Sequence, residues 1–135
     1  RTRLSLHTAA RLVRTGNPMG ARRTTVRVTS KAIHLADVLA KTGYFDPQVV
    51  ARVNACEVKV TRIVGDFIWH RHHSTDEAFI VLTGDLSIHL RDRIVHLAAG
   101  DLFVVPRGVE HKSSSKTECE VIMIEATGTA NTGDE

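Results

Sequence analysis

From Val49 to Ile124 the chain is a succession of short β-branched runs separated by turn residues. The runs are Val49-Val50, Val53, Val58, Val60, Ile63-Val64, Phe79 to Leu82, Leu86 to Leu90, Ile94 to Leu97, Leu102 to Val105 and Val121 to Ile124. Asp46-Pro47 marks a turn, Gly84-Asp85 and Arg91-Asp92 read as hairpin turns, and Pro106 closes a run. Many short strands at short spacing predict an all-β sandwich or barrel. Ahead of them Ile33, Leu35, Ala36, Val38 and Leu39 crowd a helical segment of about two turns, stopped by Gly43. There is no internal repeat.

A chain of 135 residues has room for one domain with one core. Residues 31–128 form that domain, 1–30 a basic extension and 129–135 a polar, turn-rich tail. The formal charge of +3 is unevenly spread. Residues 1–36 hold eight of the 18 Lys and Arg and no acid, so the remainder carries a net −5. The body is acidic, and nucleic acid is not the expected partner. No apolar run approaches the length of a membrane span.

The extension is rich in Arg, Thr and Ser, with a loose amphipathic stretch through Leu4, Leu6, Leu12 and Val13. That composition suits a transit peptide, an upstream extension ahead of a natural start at Met19, or a partner-binding arm. A cytoplasmic location is expected, or an organellar one if the extension is a transit peptide. Cys56 and Cys119 fit neither a zinc-ribbon nor a redox spacing and read as reduced thiols.

The chemistry lies between residues 65 and 111. In "HRHHSTDE", residues 70–77, a strand would turn His70 and His72 to one face and Arg71 and His73 to the other. With that face inward, two imidazoles converge. Glu77 follows after a short turn, sharing its parity with Phe79 and Val81, and Pro106-Arg107-Gly108 precedes His111. Three imidazoles and a carboxylate make a mixed nitrogen and oxygen site for one divalent transition metal ion, Zn, Mn, Fe or Ni. An octahedral ion there keeps two positions for water or substrate. His7, His34, His73, His89 and His96 read as surface or strand-filling groups. Trp69, Phe79, Phe103 and Arg107 are candidate walls of a substrate pocket, and Lys112 flanks the site turn.

These spacings resemble the two sequence motifs of the cupin superfamily. Gly65, His70, His72, Glu77 and Gly84 follow the first, with one residue fewer after Gly65 than is usual. Gly100, Pro106, Gly108 and His111 follow the second, with Ser115 where Asn is usual. The 15 residues between Gly84 and Gly100 match the gap of microbial single-domain cupins. From about Ile33 to Asp134 the chain is similar to small cupins of the mannose-6-phosphate-isomerase-like kind, a fold-level analogy. The resemblance implies a double-stranded β-helix, or jelly-roll, barrel with a short N-terminal helix, and a metal held by His70, His72, Glu77 and His111. It also implies a homodimer, with a strand around Thr24 to Val28 adding to a neighbour's sheet edge.

Three functions are compatible with such a site. The first is a metalloenzyme acting on a small sugar-like or carbonyl/carboxylate molecule by isomerase, lyase or dioxygenase chemistry. The second is a non-catalytic sensor or binding module for a small ligand, and the third a metal-stabilised structural barrel. Beyond the ligands the sequence offers no dedicated acid–base pair, and Glu77 is a catalytic base only if it leaves the metal during turnover.

Overall fold

The computed structural model describes residues 31–134; the basic extension 1–30, with Thr24–Val28 and Met19, lies outside the described residues. Among the described residues one helix, α1 (Leu35–Leu39), precedes seven strands. These are β1 (Gln48–Val53), β2 (Cys56–Asp66), β3 (Glu77–Thr83), β4 (Asp85–Leu90), β5 (Ile94–Ala98), β6 (Leu102–Val105) and β7 (His111–Ala126). The helix is shorter than its apolar spacing suggests. No side chain caps its start, and the Thr42 hydroxyl donates to the Val38 carbonyl at 2.7 Å just past its end. No helix among the described residues is long and apolar enough to cross a membrane.

All strand pairs are antiparallel, in the order β1-β2-β7-β3-β6, with β4 set between β5 and β7. The result is a jelly-roll barrel. Its organising strand is β7, which pairs with β4 from His111 to Ser114 and with β3 from Glu120 to Ile124. Between those segments β7 turns from one side of the barrel to the other. Arg91-Asp92 is a hairpin turn as expected, joining β4 to β5. Gly84 is not: β3 and β4 do not pair, and Gly84 is the corner where the chain crosses between sheets. The missing residue after Gly65 coincides with a bulge, where the β2–β7 register shifts between Ile63 and Gly65. Ser115, in the usual Asn position, is buried with its Oγ 2.6 Å from the Asp85 carbonyl, tying β7 to the start of β4.

Alternation sorts the side chains. Phe79 and Val81 of β3, Leu86 and Ile88 of β4, and Cys119, Val121 and Met123 of β7 fill the interior with Ile63, Leu97 and Val105. Cys56 and Cys119 are free thiols. The outer face of the larger sheet is also apolar. One register row crosses all five strands as Val104, Ala78, Ile124, Val58 and Ala51. The next carries Leu102, Ile80 and Ile122, then Val60, which the chain itself already buries, and Gln48. At the sheet's edges Leu102 is 58% exposed and Val53 57%.

Candidate metal centre

The four residues singled out in the sequence come together at one end of the barrel interior. A donor atom from each of His70, His72, Glu77 and His111 lies within 4.8 Å of every other. Strand periodicity is not what brings His70 and His72 inward. His70 forms an isolated bridge with His111 through reciprocal backbone bonds of 2.9 Å, and residues 71–76 are a loop. The loop is held by Gly108 N donating to the His72 carbonyl (2.6 Å) and by the C-terminal tail. Asp134 takes the His73 amide at 2.6 Å and donates its own to Arg71 O at 2.9 Å. Gly133 packs so closely that a Cβ there would stand 2.6 Å from Arg71 O. The tail is therefore a wall of the site, not a loose end.

Hydrogen bonds orient two of the imidazoles. His70 Nδ1 donates to Ile68 O and His111 Nδ1 to Val109 O, each at 3.0 Å. Those bonds assign the Nδ1 proton and leave Nε2 of both rings facing the centre, the arrangement metal-binding histidines adopt. Glu77 is 2% exposed, and its Oε2 accepts from His111 Nε2 at 2.9 Å. Burial alone would raise its carboxyl, but the hydrogen bond from His111 and the charges of His111 and His72 outweigh it and hold the pKa down at about 2. Glu77 is thus an anion ready to meet a cation. Burial lowers His70, favouring the neutral ring that ligates, whereas the nearby Glu77 carboxylate raises His72.

His72 supplies the sharpest test of fit. Both its ring nitrogens are buried without a hydrogen-bond partner, although Nε2 stands 3.3 Å from Glu77 Oε2. At that distance the carboxylate attracts the ring by charge without the alignment of a bond. Buried polar atoms are normally satisfied, and each exception calls for a cause. A cation amid four nitrogen and oxygen donors would satisfy one of the two ring nitrogens, and the donor set suits a borderline divalent transition metal.

A cavity of about 30 Å³ opens beside the cluster, room for about two waters. Phe45, Pro47, Phe67, Phe79 and Met123 form its apolar walls, and Thr61, Ser113 and Asn131 its polar points, beside His70 and Glu77. Of the residues expected to line it, only Phe79 does. Trp69 faces outward under the Arg91 guanidinium, 3.8 Å from its ring centre, with Lys112 on the same ring at 5.9 Å. Phe103 packs against the hydrophobic core, and Arg107 is exposed and turned to Asp76, which accepts its backbone N–H at 2.9 Å. Phe45 and Phe67, stacked 5.3 Å apart, take the place of Trp69 and Phe103.

The interior also holds residues that sequence reading missed. Lys59 and Glu125 are buried side by side, with side chains 6% and 0% exposed and Nζ 2.8 Å from Oε1. In Glu57-Val58-Lys59-Val60 the alternation reads as charges outward and valines inward. The structure has the reverse, because this end of the barrel is polar inside and the outer face is apolar. Burial raises the Glu125 carboxyl, as does Glu77, with Lys59 opposing both.

Comparison with known proteins agrees with the fold and the motifs. Residues 59–125 match the cupin domain family. A cupin-2 domain containing protein from Shewanella frigidimarina superposes with a TM-score of 0.67 at 40% identity, covering 70% of this chain and 93% of that one. The chain belongs to the cupin superfamily. Two curated relatives match more locally. The uncharacterized protein YdbB of Bacillus subtilis is 36% identical over 67 residues, 49% of this chain and 59% of its own length. An acireductone dioxygenase of Gluconacetobacter diazotrophicus is 34% identical over 82 residues, 58% of this chain and 45% of the enzyme. The chain thus spans about half the length of the curated relatives it matches.

Proposed function

We propose that this cupin is a metal-dependent enzyme acting on a small molecule through a carbonyl or enol oxygen. The observation that carries this reading is a four-donor cluster opening into a narrow cavity with mostly apolar walls and, among the described residues, no Lys or Arg lining it. His70, His72, Glu77 and His111 hold a divalent transition metal. When bound, the metal supplies a Lewis acid for a substrate oxygen or, as iron, a centre for dioxygen chemistry. Phe45, Phe67, Phe79 and Met123 shape the substrate and exclude water, while Thr61, Ser113 and Asn131 offer the few polar contacts that orient it.

A phosphorylated sugar suits this cavity poorly. Phosphate recognition draws on Arg, Lys or clustered N–H donors, and Arg107, a candidate pocket wall, faces Asp76 instead. The mannose-6-phosphate likeness is therefore one of fold. The similarity to an enzyme named acireductone dioxygenase favours oxygenase over isomerase chemistry.

A ligand panel tests the reading. Protein loaded with Co²⁺ is expected to change its visible spectrum with small α-hydroxyketones and 1,2-diketones, and the Fe²⁺ form to consume dioxygen with one of them. Sugar phosphates are expected to leave both unchanged. Tight binding of a sugar phosphate, with none of the carbonyl compounds bound, contradicts the proposal.

We also propose that a second copy of the chain covers the outer face of β1-β2-β7-β3-β6. A contiguous apolar sheet face of this extent marks an association surface, and Leu102, Val104 and Val53 stand exposed on its edge strands. Light scattering at micromolar concentration is expected to give twice the chain mass, and Ile122→Glu, at the centre of the face, to give the chain mass. A monomeric wild type overturns this.

A further inference from the structure

The segment after β7 is built more firmly than its polar, turn-rich sequence suggests. The Thr129 amide and hydroxyl both donate to Ala126 O, at 3.2 and 2.6 Å, and Gly133 N donates to Ala130 O at 3.1 Å. Asp134 then binds the loop that carries His72, through the His73 amide and Arg71 O. Asn131 sits between these anchored turns, half-buried, and lines the cavity beside the metal cluster.

Lys59 decides which way the Asn131 amide faces. Its Nζ donates to Glu125 Oε1 (2.8 Å), Thr129 O (3.2 Å) and Asn131 Oδ1 (3.2 Å). An ammonium has three protons and no acceptor, so Lys59 has none left for a ligand. The same chemistry forbids the flipped amide, because an NH₂ group turned to Lys59 would set donor against donor. Asn131 therefore keeps Oδ1 on Lys59 and has Nδ2 to spare. No hydrogen bond among the described residues engages Nδ2, and the cavity is the space this side chain lines.

A donor fixed in this way selects its ligand. The hydroxyls of Thr61 and Ser113 rotate to donate or accept, whereas a held NH₂ only donates. Ser113 is 5% exposed, two residues past His111 on the inward face of β7, and no hydrogen bond among the described residues engages its hydroxyl either. The cavity is about 30 Å³, so a molecule with one oxygen at the metal centre has its remaining atoms against these polar groups.

We infer that Asn131 is the specificity-determining residue of this cavity, donating from Nδ2 to a second oxygen of the substrate, with Lys59 as the positioning residue that fixes its amide. The substrate class narrows to small molecules with two oxygens, of which the one away from the metal need only accept a hydrogen bond. This rests on the metal-dependent reading above and adds to it a residue outside the family's two motifs.

Asn131→Asp exchanges the donor for an acceptor while keeping an oxygen on Lys59. Full chains loaded with Co²⁺ are titrated with hydroxyacetone, whose hydroxyl donates or accepts, and with methoxyacetone, whose ether oxygen only accepts, following the visible band. The wild type is expected to bind both. In N131D methoxyacetone is expected to lose at least about tenfold relative to hydroxyacetone, the size of one hydrogen bond involving a charged group. Should N131D fail to fold, Asn131→Leu, which removes the donor and offers no acceptor, is expected to weaken both probes about 2–10-fold with Co²⁺ affinity unchanged. An unchanged ratio in folded N131D, or wild-type affinity for both probes in N131L, overturns the inference and leaves the metal-dependent reading standing. So does a wild type that takes hydroxyacetone alone, because a fixed donor has no need of the substrate's proton. A wild type that binds neither probe overturns the inference, and if no other carbonyl compound binds, the reading beneath it falls as well.

Discussion

The His111→Ala protein is expected to bind a divalent transition metal at least about 100-fold more weakly than the wild type while remaining folded. Supporting residues alone are worth about 10–100-fold in metal affinity, and His111 is placed to touch the ion itself. Its Nε2 faces the centre because Val109 O takes the Nδ1 proton, and none of the other three residues can replace that donor. The substitution also leaves Glu77 without its 2.9 Å hydrogen bond, a cost of about 1–3 kcal/mol in stability. A small domain tolerates that loss, since the aliphatic core from Ile63 to Met123 is untouched. The measurement is a thermal melt with metal and with chelator. At a free metal concentration of about 100 times Kd the wild type gains about 2.7 kcal/mol from binding, and in H111A that gain falls to about 0.4 kcal/mol or less. If chelator unfolds the wild type outright, the metal is structural and the enzyme reading fails.

The largest effect on stability is expected at Gly84. Its φ of +78° lies in the left-handed region, and an added Cβ would stand 2.7 Å from the Glu118 carbonyl oxygen and 2.8 Å from Cys119 Cβ. Both neighbours belong to β7, at the bend where it changes partners, so the corner between β3 and β4 lies directly on the organising strand. Backbone strain and backbone overlap add there. Gly84→Val is expected to cost on the order of 4 kcal/mol, at the exceptional end for a single substitution. Gly100→Ala is the control: its φ is +90°, but nothing lies within 4 Å of the added carbon, so only the conformational cost of about 1–3 kcal/mol applies. Urea unfolding of both variants measures the difference. Equal midpoints would mean that the close approach at Gly84 relaxes freely.

The β-branched runs and turn residues locate each strand, because a pleated, half-buried surface selects those side chains locally. The site's four residues were legible for a different reason: their spacing from glycines and a proline in two motifs is characteristic. The mechanism of convergence was not legible. Strand alternation was the expected cause, whereas the His70–His111 bridge and the docked tail hold the loop at 71–76, and both are contacts between residues far apart in sequence. The pocket walls were misread for a related reason. Trp69 is large and adjacent to His70, yet adjacent residues in extended chain point opposite ways, and it lies outside beneath Arg91. Lys59 and Glu125 escaped because alternating charge and valine reads as charge outward, a rule that fails where a barrel keeps a polar interior and offers an apolar exterior.

The central claim is that His70, His72, Glu77 and His111 converge on one metal ion. Crystals grown with Co²⁺ or Mn²⁺, with data collected at the metal's absorption edge, test it directly. The account predicts a single anomalous peak per chain within about 2.0–2.3 Å of Nε2 of the three histidines and of a Glu77 carboxylate oxygen. A map with no peak at these residues, from protein crystallised in excess metal, or with the four side chains too far apart to share one ion, would contradict it.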